Sequence, residues 1–298
     1  MRSAIATTAT RRSNATGITA MLASMAFFVA NDTCVKLIGK TLPLGELIVL
    51  RNAIACVYIF AFAAAFGGMT MPKRPPVRIL GWRMVAEFFS TLFFLSGLVA
   101  LPIADATAIC QFTPLAITAA AAIFLKERIG WRRWTAALVG LVGVLLITRP
   151  GTSAFAPAAL FTMTSVAFIV LRDLTTRAIS DDVPTLTLTA MSASVSILAG
   201  VVLLPFETWI VPNTAQTQYL VLGAFCLAVA YALIVIAMRS GDVGVVSPFR
   251  YAVIIFAIFS GWAVWGELPD SIQMVGIAVL TVAGLYTFHR ERLAGISH

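Results

Sequence analysis

The sequence predicts an all-α integral membrane protein, with ten transmembrane helices arranged as two inverted five-helix repeats around a central cavity. Three observations carry the prediction: an apolar share too large for a soluble globule, ten apolar runs of spanning length, and an internal repeat. Of the 298 residues, 60% are hydrophobic and 11% are charged, and the mean hydropathy is +0.94. Soluble domains average roughly 45–50% apolar and about 25% charged residues, because they need a polar skin. A soluble enzyme, a disordered tail protein and a secreted disulfide scaffold are thereby excluded. Ten spans of about 20 residues use about 200 residues. The remainder suffices for loops and tails but not for a nucleotide-binding or receptor domain.

The runs are delimited by residues that interrupt helices. The first, 17–36, follows a polar segment, 1–16, expected to be a cytoplasmic tail. A polar start before an apolar run resembles a signal peptide, but this run has a copy later in the chain and so belongs to the fold. The second, 44–66, begins after Pro43 and ends at Gly67-Gly68, and the third, 79–101, lies between Pro75-Pro76 and Pro102. The fourth, 104–125, ends at Lys126-Glu127-Arg128, and the fifth, 131–148, ends before Pro150. The sixth and seventh, 154–176 and 184–204, carry Pro157, Pro184 and Pro205 at their ends. The eighth, ninth and tenth are 217–238, 243–265 and 271–288, with Pro212 and Pro269 between runs. At such places a missing N–H costs little. Pro114 and Pro248 are exceptions, lying inside the fourth and ninth runs.

The net charge of +8 reads as loop charge rather than as a nucleic-acid surface. With the N-terminus inside, fifteen Lys and Arg fall on the inner side, three (Lys36, Lys40 and Arg149) on the outer side, and three (Arg51, Arg172 and Arg250) within spans. The positive-inside bias then places both termini in the cytoplasm of a multi-pass protein of the cell's inner (plasma) membrane. Cys34, Cys56, Cys110 and Cys226 are at least 22 residues apart, each inside an apolar run. They read as small buried hydrophobes, with no metal or redox motif.

The repeat is visible residue by residue. Ser24, Ala26, Phe27, Val29, Asp32 and Lys36 match Ser165, Ala167, Phe168, Val170, Asp173 and Arg177 at an offset of 141. Ala100 through Asp105 matches Ala237 through Asp242 at 137, and Glu127 stands opposite Glu267 at 140. Span one therefore pairs with span six, and span four with span nine. The expected organisation is a tail (1–16), a first repeat (17–149), a second repeat (150–289) and a cytoplasmic tail (290–298). Five is odd, so the second copy enters the membrane upside down. Inverted repeats around a midplane cavity imply alternating access of a small-molecule substrate.

Charges inside a bilayer are costly unless paired or wet. Asp32 and Arg51 fall at similar depth in neighbouring spans and are expected to pair, as a gate or packing tie. Glu87 and Arg250 each lie about 12 Å from the inner face at 1.5 Å per residue and are expected to pair across the halves. Arg172 and Asp173, near a span end, are expected to snorkel. Thr107, Gln111, Pro114 and Thr118 share one face of span four, where Gln111 must face the interior and Pro114 frees a carbonyl. In span nine, Arg250 offers a fork suited to a carboxylate. Phe94, Tyr231 and Tyr251 are expected to supply an aromatic wall. Trp82, Trp131, Trp134, Trp209 and Trp265 read as interfacial belt residues.

These motifs resemble a known family. The two five-span halves, Lys126-Glu127-Arg128 and Gly266-Glu267 after spans four and nine, and Pro248-Phe249-Arg250-Tyr251 are similar to the EamA-type branch of the drug/metabolite transporter superfamily. The resemblance implies a ten-helix fold with a central cavity and a secondary transporter of small metabolites, needing no cofactor. More narrowly it extends to the YddG-type exporters of aromatic and other amino acids, implying amino-acid export. The Pro-Phe-Arg-Tyr stretch also resembles members that carry S-adenosylmethionine. A monomer is compatible with the pattern.

Rival classes find less support. An intramembrane enzyme would need a catalytic constellation at depth, yet the only histidines are His289 and His298, at the C-terminal end. Asp181-Asp182 reads as a solvated turn. A channel would usually draw its pore from oligomeric symmetry.

Overall fold

The structure is a computed structural model describing residues 2–66, 76–124, 126, 130–152, 155–179, 183–240 and 242–295. Among the described residues the regular structure is entirely helical. The long helices are α1 (Arg2–Ile38), α2 (Leu44–Phe66) and α3 (Val77–Ala100), followed by the short α4 (Ile103–Cys110) and α5 (Thr113–Phe124). Next come α6 (Trp131–Thr148), α7 (Ala158–Arg177), α8 (Thr185–Val201) and α9 (Thr214–Ser240). The chain ends with α10 (Val243–Val246), a 3₁₀ turn (Ser247–Tyr251), α11 (Ala252–Trp265) and α12 (Ser271–Gly295). Ten segments are long and apolar enough to cross a membrane, as expected, with 103–124 and 247–265 each making one span. The polar segment 1–16 is no separate unit in its backbone, since α1 begins at Arg2.

Helix starts and stops follow local chemistry. Asn213 and Gln216 form a reciprocal capping box at the start of α9, with backbone-to-side-chain bonds of 2.8 and 2.9 Å. Asp270 and Gln273 do the same at α12, at 2.8 and 3.0 Å. Each box satisfies two otherwise orphaned N–H groups. The Gln273 N–H, assisted by Arg149, holds the Asp270 carboxyl below its ordinary range. Gly266 ends α11 in the left-handed region (φ +68°). Its N–H bonds the Trp262 carbonyl, and the Glu267 N–H turns back to Gly261. Lys126, one residue before Glu127 in the first repeat, is also left-handed (φ +55°).

Packing is dominated by pairs drawn from opposite halves: α1 on α9, α3 on α7, α2 on α8, α6 on α12 and α4 on α11. In span order these are one with eight, three with six, two with seven, five with ten and four with nine. Exchanging each span for its repeat partner maps the first pair onto the second and each of the others onto itself. The contacts thus carry an approximate two-fold symmetry, and the two halves interleave.

Lipid offers helices no hydrophobic reason to associate, so close backbone approach through small residues holds them together. Two self-paired contacts use glycine on both sides. A Cβ on Gly200 would sit 2.5 Å from the Gly45 carbonyl oxygen, and one on Gly45 2.8 Å from that of Gly200. Gly143 and Gly276 meet in the same way, 2.8 Å each way. The outside is apolar: Leu138, Val142, Leu145, Val275, Val282 and Leu285 of α6 and α12 are exposed. Ser24, Asn31, Glu46, Arg51, Asn52 and Thr162 are buried. That distribution suits a bilayer and would precipitate a soluble protein.

Replacing Gly200 by Leu is expected to force α2 and α8 apart, costing about 1–3 kcal/mol as overpacking does. A lowered melting temperature and loss of a monodisperse peak in detergent chromatography would register the change.

Candidate functional site

Two spans are discontinuous, and they are repeat partners. Span four stops at Cys110 and resumes at Thr113, so its expected single helix is two. Pro114 cannot donate to the Cys110 carbonyl, and the Thr113 hydroxyl takes that acceptor instead, at 2.6 Å. Span nine opens as a 3₁₀ turn with Pro248 near its start. A break inside hydrocarbon leaves polar backbone groups that need partners. Here each break serves the other. Gln111 Nε2 donates to the Arg250 carbonyl at 3.2 Å, and the Tyr251 hydroxyl donates to the Gln111 carbonyl at 3.3 Å.

Tyr251 is therefore not part of an aromatic wall. It is buried at 4% exposure, wedged edge-on against Phe288 and against Gly284, where any side chain would strike its ring. Phe94 is half-buried and packs on the main core, and Pro114 is half-buried at the break. Tyr231 does face open space: it is 39% exposed, standing edge-on to Phe28 at a centroid distance of 5.4 Å.

Around Tyr231 lies a charge cluster contributed by both halves. Arg51, Arg83, Glu87 and Arg172 all act electrostatically on its hydroxyl. Asp32 faces Arg51 without a direct bond and accepts from Asn31 Nδ2 at 2.8 Å, so the expected pair is a proximity rather than a contact. The expected Glu87–Arg250 pair does not form. Glu87 sits 3.8 Å from Arg172, which also binds Asp173 at 2.9 Å. Arg172 thus turns inward instead of snorkelling, because two carboxylates outbid the headgroup region for its charge.

Arg83, inside the third run, is one of the fifteen basic residues counted on the inner side. It is buried and donates to the Thr176 hydroxyl at 3.0 Å and the Ser192 hydroxyl at 2.9 Å. Its spacing of four from Glu87 was the available signal, since i and i+4 share a face. Arg250 is surrounded by protein, near Asp173, Arg172 and Tyr251, yet its own surface remains exposed. Tyr231 combines the same two features, charged neighbours and an exposed surface.

A second set of polar contacts joins the halves at the end of the bundle where α1 and α11 finish. Lys36, 2% exposed, donates to Glu267 at 2.9 Å and lies 4.6 Å above the Trp265 ring. Trp265 is thus a cation–π partner rather than a belt residue; Trp82, Trp131, Trp134 and Trp209 are exposed. Gln273 donates to the buried Asp105 at 2.8 Å, and Arg149 pairs with Asp270. Glu267 reaches Lys36 because the left-handed Gly266 reverses the chain over the end of α11. Glu127, Arg128, Asp181 and Asp182 lie outside the described residues.

A ten-span bundle with an interleaved two-fold, two broken spans and a charge cluster within the spans defines a polytopic membrane protein. The chain belongs to the EamA-like transporter family, whose model matches residues 15–149 and again 156–288. It is 27% identical over 284 residues to the S-adenosylmethionine uptake transporter of Rickettsia felis, covering 94% of each chain. It is 26% identical over 266 residues to the pseudopaline exporter CntI of Pseudomonas aeruginosa (89% and 92% covered). It is 25% identical over 270 residues to the riboflavin transporter of Vibrio cholerae (88% and 89%). A solved crystal structure with 21% identity superposes with a TM-score of 0.61 over 93% of this chain and 96% of the other, supporting the fold. The protein is therefore a small-molecule membrane transporter, not an enzyme.

Tyr251→Phe removes one hydrogen bond between the broken spans and is expected to cost about 1 kcal/mol. A lower midpoint in thermal unfolding in detergent, with the fold retained, is the expected result.

Proposed function

We propose that this transporter is an alternating-access carrier of small zwitterionic metabolites, amino acids being the first candidates. The observation that carries the reading is the meeting of the two broken spans beside the charge cluster of Asp32, Arg51, Glu87, Arg172, Asp173 and Arg250. Half-helix breaks near the midplane are how carriers expose backbone and side-chain polarity to a solute. Tyr231 and Phe28 offer an apolar surface for an aromatic or aliphatic side chain.

Residues 17–149 and 150–289 are the two inverted units, with short tails at 1–16 and 290–298. Both termini lie in the cytoplasm, and the membrane is the inner one. With that orientation the Lys36–Glu267 end faces outward, and its polar ties close that side. Lys36 and Glu267 correspond in the repeat to Arg177 and Glu127, and on the carrier reading that second pair takes the equivalent role on the other side. The direction of net flux follows the solute gradient, and export of amino acids is the direction assigned to this chain. S-adenosylmethionine is the second reading, favoured by the uptake transporter of Rickettsia felis at 94% coverage. It carries the same amino-acid head with an added sulfonium charge.

Counterflow in proteoliposomes against a panel of amino acids, S-adenosylmethionine, nucleosides and sugars tests the function. Saturable exchange confined to amino-acid-headed solutes is expected; non-saturable leak of all solutes would indicate a channel. Cysteines at positions 32 and 173 should be labelled from opposite sides of intact cells, and labelling from one side only would remove the inversion.

Lys36→Glu and Glu267→Lys are each expected to slow exchange at least several-fold, because each sets two like charges together where Lys36 is buried and Glu267 only half-buried. The double swap should recover much of the rate.

A further inference from the structure

We infer that the solute binds through an anionic group, a carboxylate first of all, and that Arg250 is the residue that selects it. The inference rests on the carrier reading above and names the chemistry of its site. The cluster holds four arginines, Arg51, Arg83, Arg172 and Arg250, and three carboxylates, Asp32, Glu87 and Asp173. The pairings use up the acids unevenly. Arg172 takes both Glu87 and Asp173. Arg51 faces Asp32, and Arg83 is held by two hydroxyls, on Thr176 and Ser192, with Glu87 one turn away.

Arg51 and Arg250 both lack a hydrogen bond or ion pair to any described residue, but Arg51 is buried with its Nε orphaned, whereas Arg250 keeps an exposed surface that a solute can reach. An arginine within a span and without a bound anion is costly even where its surface is open, and the cost falls when a counter-ion arrives. Its charge is already partly opposed by Asp173 at longer range, so the vacancy suits one further negative group, not several.

The backbone fixes where that guanidinium stands. Arg250 sits on the 3₁₀ turn, and its carbonyl is held from across the bundle by Gln111 Nε2 at 3.2 Å. Tyr251, the next residue, is locked by Phe288 and by the Gln111 carbonyl. The turn cannot swing freely, so the backbone from which the fork extends needs little ordering on binding. A planar guanidinium matches a carboxylate through two parallel N–H···O bonds, which a point-charge ammonium cannot reproduce. Asp173 beside Arg250 adds the converse preference: a solute carrying a cation next to its carboxylate loses less there than a dianion does.

The test compares solutes that differ only at the acid. Wild-type, Arg250→Lys and Arg250→Gln proteins, each checked for a monodisperse chromatography peak, are reconstituted and assayed by counterflow. The pairs are phenylalanine with phenylalanine amide, and S-adenosylmethionine with its decarboxylated analogue; riboflavin serves as a solute without a carboxylate. Wild type is expected to exchange the acids in preference to their partners by roughly tenfold or more, the worth of a charge-assisted bond pair. Arg250→Gln should erase that preference, and Arg250→Lys should retain only part of it. Equal exchange of acid and amide by wild type overturns the solute class, and a full preference in Arg250→Gln overturns the residue; both leave the carrier reading standing. If monodisperse wild type exchanges none of these solutes, the carrier reading goes and this inference goes with it.

Discussion

In hydrocarbon, no water is available to rescue a broken helix, and the rest of this molecule follows from how two breaks are reconciled. Span four is interrupted after Cys110 and span nine at Ser247–Tyr251. Either interruption alone would strand polar backbone in the membrane. Placed against each other, they exchange bonds: Gln111 holds the Arg250 carbonyl and Tyr251 holds that of Gln111. The meeting point fixes the spacing of the two spans, and so fixes where Arg250 enters the interior. It also ties together elements from the two halves of the chain.

Much of the fold was legible because bilayer spans leave strong traces. The ten runs appear as ten spans, and the repeat of Asp32 and Lys36 in Asp173 and Arg177 predicted the symmetry now visible in the packing pairs. The site was less legible. Periodicity put Gln111 on the face that meets span nine but had no means of showing that Pro114 would split the span, since a proline can kink a helix as readily as end it. Tyr251 read as an open aromatic because a small residue thirty-three positions later, Gly284, supplies the slot it fills. The partner of Glu87 was missed for a similar reason. Depth arguments rank residues along the membrane normal and are silent on position around it. That coordinate is set by packing of α3 on α7, not by spacing in the chain.

Polar ties between halves are concentrated on residues that are themselves repeated. Lys36, Glu267 and Asp105 each have a counterpart in the other half, Arg177, Glu127 and Asp242, and the left-handed turn before Glu267 recurs at Lys126. The wider polar contacts of that end, Glu46 to the Ile210 N–H and Glu207 to the Gly45 N–H, both at about 2.8–2.9 Å, join spans two and seven there as well. Among the described residues these ties lie at one end of the bundle, and the sequence repeats their residue types at the other.

The interleaving of the halves has a consequence for ancestry and assembly. Span one rests on span eight and span three on span six, so neither five-span unit buries its own faces. Two separate copies of one such unit could make the same contacts only as an antiparallel pair, with half of the molecules inserted in each orientation. Joining the copies in one polypeptide removes that requirement. Each half is then free to diverge, and the unequal breaks at Pro114 and Pro248 are a record of that freedom.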